Sequence, residues 1–127
     1  MKKIVNTNDA PAAIGPYSQG VTYAELVFTS GQLPLVPDTM EFAQGGITEQ
    51  SRQSLENLKA VLEEGGAGID TVIKTTCFLS NMEDFAAFNA VYSDVFGTEN
   101  APARSCVEAA RLPKDALVEV EAVAYRK

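Results

Sequence analysis

The chain has 127 residues, of which 46% are hydrophobic and 21% charged. This composition is typical of a globular protein, so we predict one domain spanning residues 1–127. The formal net charge is −7, which disfavours nucleic acids and anionic membranes as partners, because both attract basic surfaces. Histidine is absent, which excludes the catalytic triads and general bases that depend on imidazole, and most transition-metal sites.

The two cysteines, Cys77 and Cys106, are far apart and form no CxxC motif. The N-terminal segment Met1–Tyr17 contains no apolar core of about 7–15 residues, so it does not resemble a secretory signal. No apolar run approaches the roughly 18 residues of a transmembrane helix. We therefore expect free thiols in a reducing cytoplasm, with Cys77 in the core.

The first part of the chain alternates strands with turn-rich segments. Residues 2–7 (KKIVNT) predict a short first strand. Residues 9–20 (DAPAAIGPYSQG) predict a loop, because their prolines and glycines interrupt any long element. The segment Glu25–Leu33 predicts a second strand, and a loop containing proline and glycine follows from Pro34 to Gly46.

The second part of the chain predicts two helices separated by a strand. Thr48 is the expected N-cap of the first helix, which a glycine pair ends after apolar residues at helical spacing. Residues 70–80 (DTVIKTTCFLS) predict a strand rich in β-branched residues. Asn81 is the expected cap of the second helix, with Asp84 in the capping-box position, and Gly97 ends this helix.

The last two predicted strands span Ala103–Ala109 and Leu117–Arg126. The order is then strands, helix, strand, helix, strand, strand, which indicates the α+β class: a single-layer mixed sheet with two helices on one face. A sheet with helices on one face needs water or another subunit to cover its second face.

Arg104 and Cys106 lie two positions apart in a predicted strand, so they share one face with Glu108. Arg104 has two interpretations. It is either a structural arginine that pairs with Glu108 or Glu119 or caps carbonyls, or a fork that binds a substrate carboxylate through two parallel hydrogen bonds. Cys106 is expected to be a small hydrophobic neighbour rather than a nucleophile, because no histidine activates its thiol.

Two acidic residues, Glu119 and Glu121, occupy one face of the last predicted strand. Either their carboxylates are exposed to solvent at the edge of this face, or a carboxylate of this pair is held in a pocket at a subunit boundary. Leu117, Val123 and Tyr125 alternate onto the same face, which favours partial burial.

The turn-rich segments carry further candidates. Tyr17 lies between turn residues in GPYSQG, and Gly31 follows Ser30 in TSGQLP, where a glycine lets a ligand or another backbone approach closely. The glycine patterns GxxxxGK[ST] and GxGxxG are missing, so nucleotide binding has no support.

The chain resembles the RidA (YjgF/YER057c/UK114) family in segments that cover nearly its whole length: APAAIGPYSQG, TSGQLP, RQSLENLKAVLEEGG, DFAAFNAVY and PARSCVEAARLPKDALVEVEAVA. The segment Pro102–Ala124 is the most specific and resembles the enzymatically active branch of that family. The resemblance implies a domain like that of the AroH-type chorismate mutase. It also implies a homotrimer whose sheets form a central barrel, with three clefts between neighbouring subunits.

The resemblance further implies hydrolysis of 2-imino acids, or their enamine tautomers, to 2-oxo acids and ammonia. Examples are 2-aminoacrylate (2-iminopropanoate) and 2-iminobutanoate, reactive intermediates that pyridoxal-phosphate-dependent dehydratases release. The chain would then bind a small 2-imino or 2-oxo carboxylate and need no metal or cofactor of its own. The alternative is a non-catalytic module that binds small molecules or acts like a chaperone. A ribonuclease is disfavoured by the net charge and the absence of histidine.

The resemblance also implies roles for individual residues. Arg104 matches the arginine that pairs with the substrate carboxylate, Cys106 matches a residue whose backbone amide lies near the ligand, and Glu119 matches the acid that orients or activates water. The residues that match the rest of the pocket are Tyr17, Ser30, Gly31 and Asn89. The chain departs from the family after SGQ, where Thr39-Met40-Glu41 replaces a frequent Thr-Gly-Glu turn. Substrate preference therefore stays open if this loop reaches the cleft.

Overall fold

The computed structural model describes residues Met1–Lys127 and contains one mixed sheet of six strands. The strands are β1 (Lys3–Val5), β2 (Gly20–Tyr23), β3 (Leu26–Thr29), β4 (Val72–Leu79), β5 (Ala103–Glu108) and β6 (Val118–Tyr125). Their order across the sheet is β1-β2-β3-β6-β4-β5. All neighbours are antiparallel except β4 and β5, which are parallel, so β5 forms one edge of the sheet.

Two helices, α1 (Ile47–Glu64) and α2 (Phe85–Phe96), pack on one face of this sheet. The core between them and the sheet is formed by fully buried apolar side chains, including Leu55, Leu58, Phe88, Val118 and Val120. Apolar residues at helical spacing in α1 pack against alternate residues of β6, and α2 packs beside α1, with Tyr92 over β4 and β5, so this face excludes water. The predicted α+β class, with a mixed sheet and a one-sided helix layer, is confirmed. Neither helix is both long and apolar enough to cross a membrane.

The opposite face of the sheet, which we call the open face, bears large apolar side chains. They point away from the helices and are between 38% and 59% exposed: Ile4, Tyr23, Phe28, Val107 and Tyr125. An exposed apolar patch spread over several strands marks an interaction surface.

The strand β2 is not among the predicted elements, and β3 is shorter than the predicted strand Glu25–Leu33. The four-residue strand β2 follows a turn-rich loop and exists because β1 and β3 pair with it on either side. The ladder between β3 and β6 ends where the Thr29 hydroxyl, instead of a backbone carbonyl, accepts a hydrogen bond from the Ala122 amide at 3.0 Å. Beyond this point the Ser30 amide donates to the Gln19 carbonyl at 2.8 Å.

The predicted N-cap at Thr48 is wrong, because α1 begins one residue earlier at Ile47 with Gly46 as its N-cap. The Glu49 carboxylate accepts a hydrogen bond from the Gly46 amide at 2.9 Å, and this bond fixes the start of the helix.

Asn81 caps the chain before α2, as predicted, but it caps a short 3-10 turn, Met82–Asp84, that leads into the helix. Its side chain accepts a hydrogen bond from the Glu83 amide at 2.9 Å. The reciprocal bond expected from Asp84 does not form; Asp84 ends the turn and is the N-cap residue of α2, without a side-chain cap hydrogen bond.

The hairpin between β2 and β3 gives a first prediction. Ala24 is exposed and has a φ of 52°, in the left-handed region that favours glycine. We expect Ala24→Gly to raise the free energy of unfolding by about 1 kcal/mol, because it relieves this strain and removes no buried contact. Urea denaturation measures the change, with Ala13→Gly as a control at an exposed position of ordinary φ. Equal destabilisation by both changes would contradict the strain at Ala24.

Candidate functional site

Arg104 lies on edge strand β5 and points to the helix side, directly opposite Thr75 of β4 in the ladder. Its guanidinium carbon lies 4.7 Å from the ring centroid of Tyr92 and 5.5 Å from that of Phe85. Its Nη1 donates a hydrogen bond to Asn89 Oδ1 at 2.7 Å. All three partners come from one face of α2, because they are spaced at four and three residues. Helix α2 therefore contacts the guanidinium through two aromatic rings and holds one end of it through Asn89.

The guanidinium of Arg104 has no carboxylate partner within the chain. None of the three ion pairs of the structure includes it, so the structural alternative, pairing with Glu108 or Glu119, is not formed. Glu108 instead accepts a hydrogen bond from the Met82 amide at 2.7 Å. Because a guanidinium carries about five N–H donors, the bond to Asn89 leaves most of them available to an anion.

The two cysteines lie directly opposite each other on β4 and β5, and both thiols are free. Cys77 is fully buried, and burial raises the pKa of its thiol to about 12. Burial also raises the pKa of Cys106, although the positive charge of Arg104 acts in the opposite direction. Both thiols are therefore protonated near neutral pH. Cys106 is therefore a small, neutral neighbour of the guanidinium.

Glu119 lies on the open face, because it pairs with Phe78 of β4 while the flanking residues of β6 point into the core. Its carboxylate packs against the backbone of Gly31, where an added Cβ would lie 2.6 Å from Glu119 Oε2. Hydrogen bonds between the backbones of Gln32 and Val120 hold the two segments together. Partial burial raises the pKa of Glu119, and the negative charge of Glu121 raises it further.

Glu119 lines an open hollow of about 460 Å³ together with three other predicted site residues, Tyr17, Ser30 and Gly31. The Tyr17 hydroxyl accepts a hydrogen bond from the Ile14 amide at 3.2 Å. The Ser30 hydroxyl donates to the Ser18 carbonyl at 2.5 Å, so its lone pairs remain available to a ligand.

The remaining lining of the hollow combines one charged residue with an apolar wall: Glu121, Ile14, Leu33 and Pro113. Sequence reasoning did not assign the three apolar residues to the site. They come from separate loops with no shared pattern, so only the packing of those loops against β6 reveals them.

The variant loop at Met40 does not line this hollow. Met40 packs beside a small apolar cluster that includes Leu35, Leu112 and Ala116. Its φ of 59° lies in the left-handed region, the conformation that glycine adopts without strain. Within a single chain, the replacement of the glycine of the Thr-Gly-Glu turn by Met40 therefore affects the apolar cluster next to the hollow and not the lining of the hollow itself.

The structure places the predicted site residues in two groups on opposite faces of the sheet. Arg104, Cys106 and Asn89 form one group between β5 and α2. The other group is the hollow on the open face, with Glu119 at its edge. The sheet separates the two groups, so a small molecule that contacts both Arg104 and Glu119 must lie between two copies of the chain. The position of Arg104 on an edge strand leaves room for such an approach.

Known proteins are similar to this chain over nearly its whole length. The family model described as Endoribonuclease L-PSP matches residues 7–126. A 2-iminobutanoate/2-iminopropanoate deaminase of Salmonella typhimurium is 50% identical over 129 residues, and a RutC family protein of Pyrococcus horikoshii is 49% identical over 127 residues; each alignment covers 100% of both chains. The crystal structure of E. coli TdcF with bound serine has a TM-score of 0.92 and 47% identity, covering 98% of this chain and 99% of that chain. The chain therefore belongs to the Endoribonuclease L-PSP family, which is the RidA/YjgF family that its sequence motifs resemble.

Proposed function

We propose that this protein hydrolyses 2-imino acids and their enamine tautomers to 2-oxo acids and ammonia, at sites formed between the subunits of a homotrimer. The observation that carries the proposal is the unpaired guanidinium of Arg104, which α2 holds with most of its N–H donors free. The Salmonella relative named as a 2-iminobutanoate/2-iminopropanoate deaminase supports it, as does the serine bound to TdcF, because both names involve small carboxylates. The two free thiols fit a reducing cytoplasm.

In the proposed reaction, Arg104 binds the substrate carboxylate through two N–H donors and so fixes the orientation of the imine carbon. Glu119 of a second copy holds a water molecule and accepts one of its protons as the water oxygen bonds to that carbon. Protons pass to the imine nitrogen, the carbon–nitrogen bond breaks, and ammonia leaves. One imino acid and one water thus give one 2-oxo acid and one ammonia. An enamine first takes a proton at its terminal carbon to become the imine.

The two-copy site requires assembly, and the apolar open face offers the surface for it. We expect sedimentation equilibrium at micromolar concentration to return a mass of three 13.6-kDa chains. A stable monomer at that concentration would contradict both the trimer and the site, since Arg104 and Glu119 cannot reach one small substrate within one chain.

The family description names an endoribonuclease, and the electrostatics of this chain disfavour that activity. RNA binding depends on neutralising phosphates with a basic surface, whereas this chain carries a formal net charge of −7. Arg104 suits a single small carboxylate, because it is one half-buried cation between aromatic rings.

A coupled assay tests the proposed activity. A pyridoxal-phosphate-dependent serine dehydratase generates 2-aminoacrylate, and pyruvate formation is followed with and without this protein. We expect the protein to accelerate pyruvate release well beyond the spontaneous hydrolysis of the intermediate. The Arg104→Ala variant is the matched control for accidental effects of added protein. Equal rates with the unaltered protein and with buffer would overturn the proposal.

Gly31 provides a prediction that depends on close packing. A methyl group at this position would force the Glu119 side chain to move, because its Oε2, Cδ and Cγ atoms lie 2.6, 2.7 and 2.9 Å from the added carbon. We expect Gly31→Ala to lower kcat about 10- to 100-fold, since a displacement of roughly 1 Å costs about that much. Gly46→Ala is the control, as nothing lies within 4 Å of its added carbon. Full activity of Gly31→Ala would show that the position of Glu119 is unimportant.

A further inference from the structure

Behind Arg104 lies a buried pair of hydroxyl groups that the proposed chemistry does not use. Thr75 Oγ1 and the Tyr92 hydroxyl are 2.7 Å apart, and the two residues are 0% and 7% exposed. Thr75 lies directly opposite Arg104 on the neighbouring strand, and Arg104 lies over the ring of Tyr92. The three side chains therefore form one chain of contacts from β4 through α2 to β5.

We propose that Tyr92 is a positioning residue for Arg104: its ring sets the plane of the guanidinium, and Thr75 fixes the ring. A guanidinium is planar and presents its N–H groups at its edge, so a ring against its face directs those groups outward. Asn89 holds one end of the group, and Tyr92 prevents rotation about that bond. This inference rests on the proposed function only for the identity of the ligand, which is the substrate carboxylate that the oriented N–H groups of Arg104 would bind.

The ring of Tyr92, and not its hydroxyl, contacts the guanidinium. The hydroxyl is occupied by Thr75, and burial raises the pKa of Tyr92, so the phenol is neutral at ordinary pH. Phe96 packs against the same ring, with centroids 4.5 Å apart. Tyr92 therefore supplies a fixed aromatic face, without a proton or a charge for the reaction.

Three variants separate this role from a general loss of structure. Tyr92→Leu removes the aromatic face, Tyr92→Phe keeps it without the hydroxyl, and Phe96→Leu alters the neighbouring ring, which does not touch Arg104. Calorimetry with 2-oxobutanoate measures binding to each. We expect Tyr92→Leu to raise Kd about 3- to 30-fold, the range of a cation–π contact, with KM rising by a similar factor. Tyr92→Phe keeps the ring but loses the bond to Thr75, so it is expected to raise Kd by less than Tyr92→Leu does, and Phe96→Leu is expected to stay within about twofold of the parent Kd. Equal losses in Tyr92→Leu and Phe96→Leu would overturn the role.

The Arg104→Lys background tests whether Tyr92 acts through the guanidinium. An ammonium has no plane to orient, so Tyr92→Leu is expected to raise Kd in that background by less than about twofold. The same full effect in both backgrounds would overturn the inference.

A spectroscopic readout does not depend on the proposed activity. The ¹H–¹⁵N heteronuclear NOE of Arg104 Nε–H is expected to be high in the parent and lowered by Tyr92→Leu, because the side chain then moves more freely on the picosecond-to-nanosecond timescale. An unchanged NOE would overturn the positioning role. If this NOE falls in Tyr92→Leu but the parent binds no 2-oxo acid, the positioning role is supported and the proposed function fails.

Discussion

Arg104→Ala is expected to lower kcat/KM for imine hydrolysis by about 100- to 1000-fold or more while leaving the assembly intact. Leaving a desolvated charge without its partner costs roughly 3–5 kcal/mol, and each 1.4 kcal/mol or so corresponds to about a tenfold change. The proposed trimer is expected to survive because the apolar open face offered for assembly lies on the opposite side of the sheet from Arg104. Steady-state kinetics and sedimentation measure the two properties on the same samples.

Two related substitutions sharpen this test. Arg104→Lys is expected to recover only part of the activity, because an ammonium cannot form the planar fork. Arg52→Ala is the matched control, since Arg52 lies on the exposed face of α1 and pairs with Asp94 at 3.5 Å, away from both groups of site residues. If Arg104→Ala retained kcat/KM within about threefold of the parent, Arg104 would have no role in binding the anion.

Cys106→Ser serves as a further control beside Arg104. Burial raises the pKa of the Cys106 thiol, so the thiolate needed for covalent chemistry is scarce near neutral pH. The serine hydroxyl is smaller than the thiol and leaves the backbone amide in place, so a mild effect is expected. Complete loss of activity with normal folding would show that the sulfur itself takes part.

Glu119→Gln is the second change with a large expected effect. It keeps the shape of the side chain but removes the carboxylate that would accept a proton from water. We expect kcat to fall roughly 10²- to 10⁴-fold, while calorimetry shows nearly unchanged affinity for the 2-oxo acid product. This separation of turnover from binding distinguishes a base from a residue that only shapes the hollow.

Glu121→Gln is the matched control, two residues away on the same face of β6. It should leave the maximal kcat within a few-fold of the parent. Because the charge of Glu121 raises the pKa of Glu119, its removal should lower that pKa. The base then stays ionised to lower pH, so the acidic limb of the kcat/KM profile shifts to lower pH. A large loss of turnover in Glu121→Gln together with full activity in Glu119→Gln would reverse the assignment. If both variants keep full turnover, water is activated by backbone groups or by the substrate.

The sequence by itself determined the features that depend on local periodicity. Alternation placed Arg104 beside Cys106 and Glu119 beside Glu121, and helical spacing predicted two helices whose apolar faces need one sheet. These properties follow from the geometry of each element, so a short stretch of sequence contains them. The same stretches carried the resemblance to the family.

The start of α1 and the end of β3 depended on side-chain hydrogen bonds to the backbone that the apolar pattern does not reveal. Glu49 reaches back to the Gly46 amide and starts the helix before Thr48. The Thr29 side chain takes the place of a backbone acceptor for Ala122, far along the chain, and ends the ladder. In both cases a side chain competes successfully with the pattern that the local sequence favours.

Only the tertiary structure decided that Arg104 and Glu119 lie on opposite faces of the sheet. The alternation of side chains shows which residues of one strand share a face, but it does not show which residues of the neighbouring strand lie on that same face. That relation comes from register: Thr75 pairs with Arg104 on one side of β4, and Phe78 pairs with Glu119 on the other. Because Thr75 and Phe78 are three positions apart, their side chains point to opposite faces, and so do those of their partners. This odd spacing separates the anion-binding group from the carboxylate within one chain, and it is the physical reason for placing the proposed site between two copies.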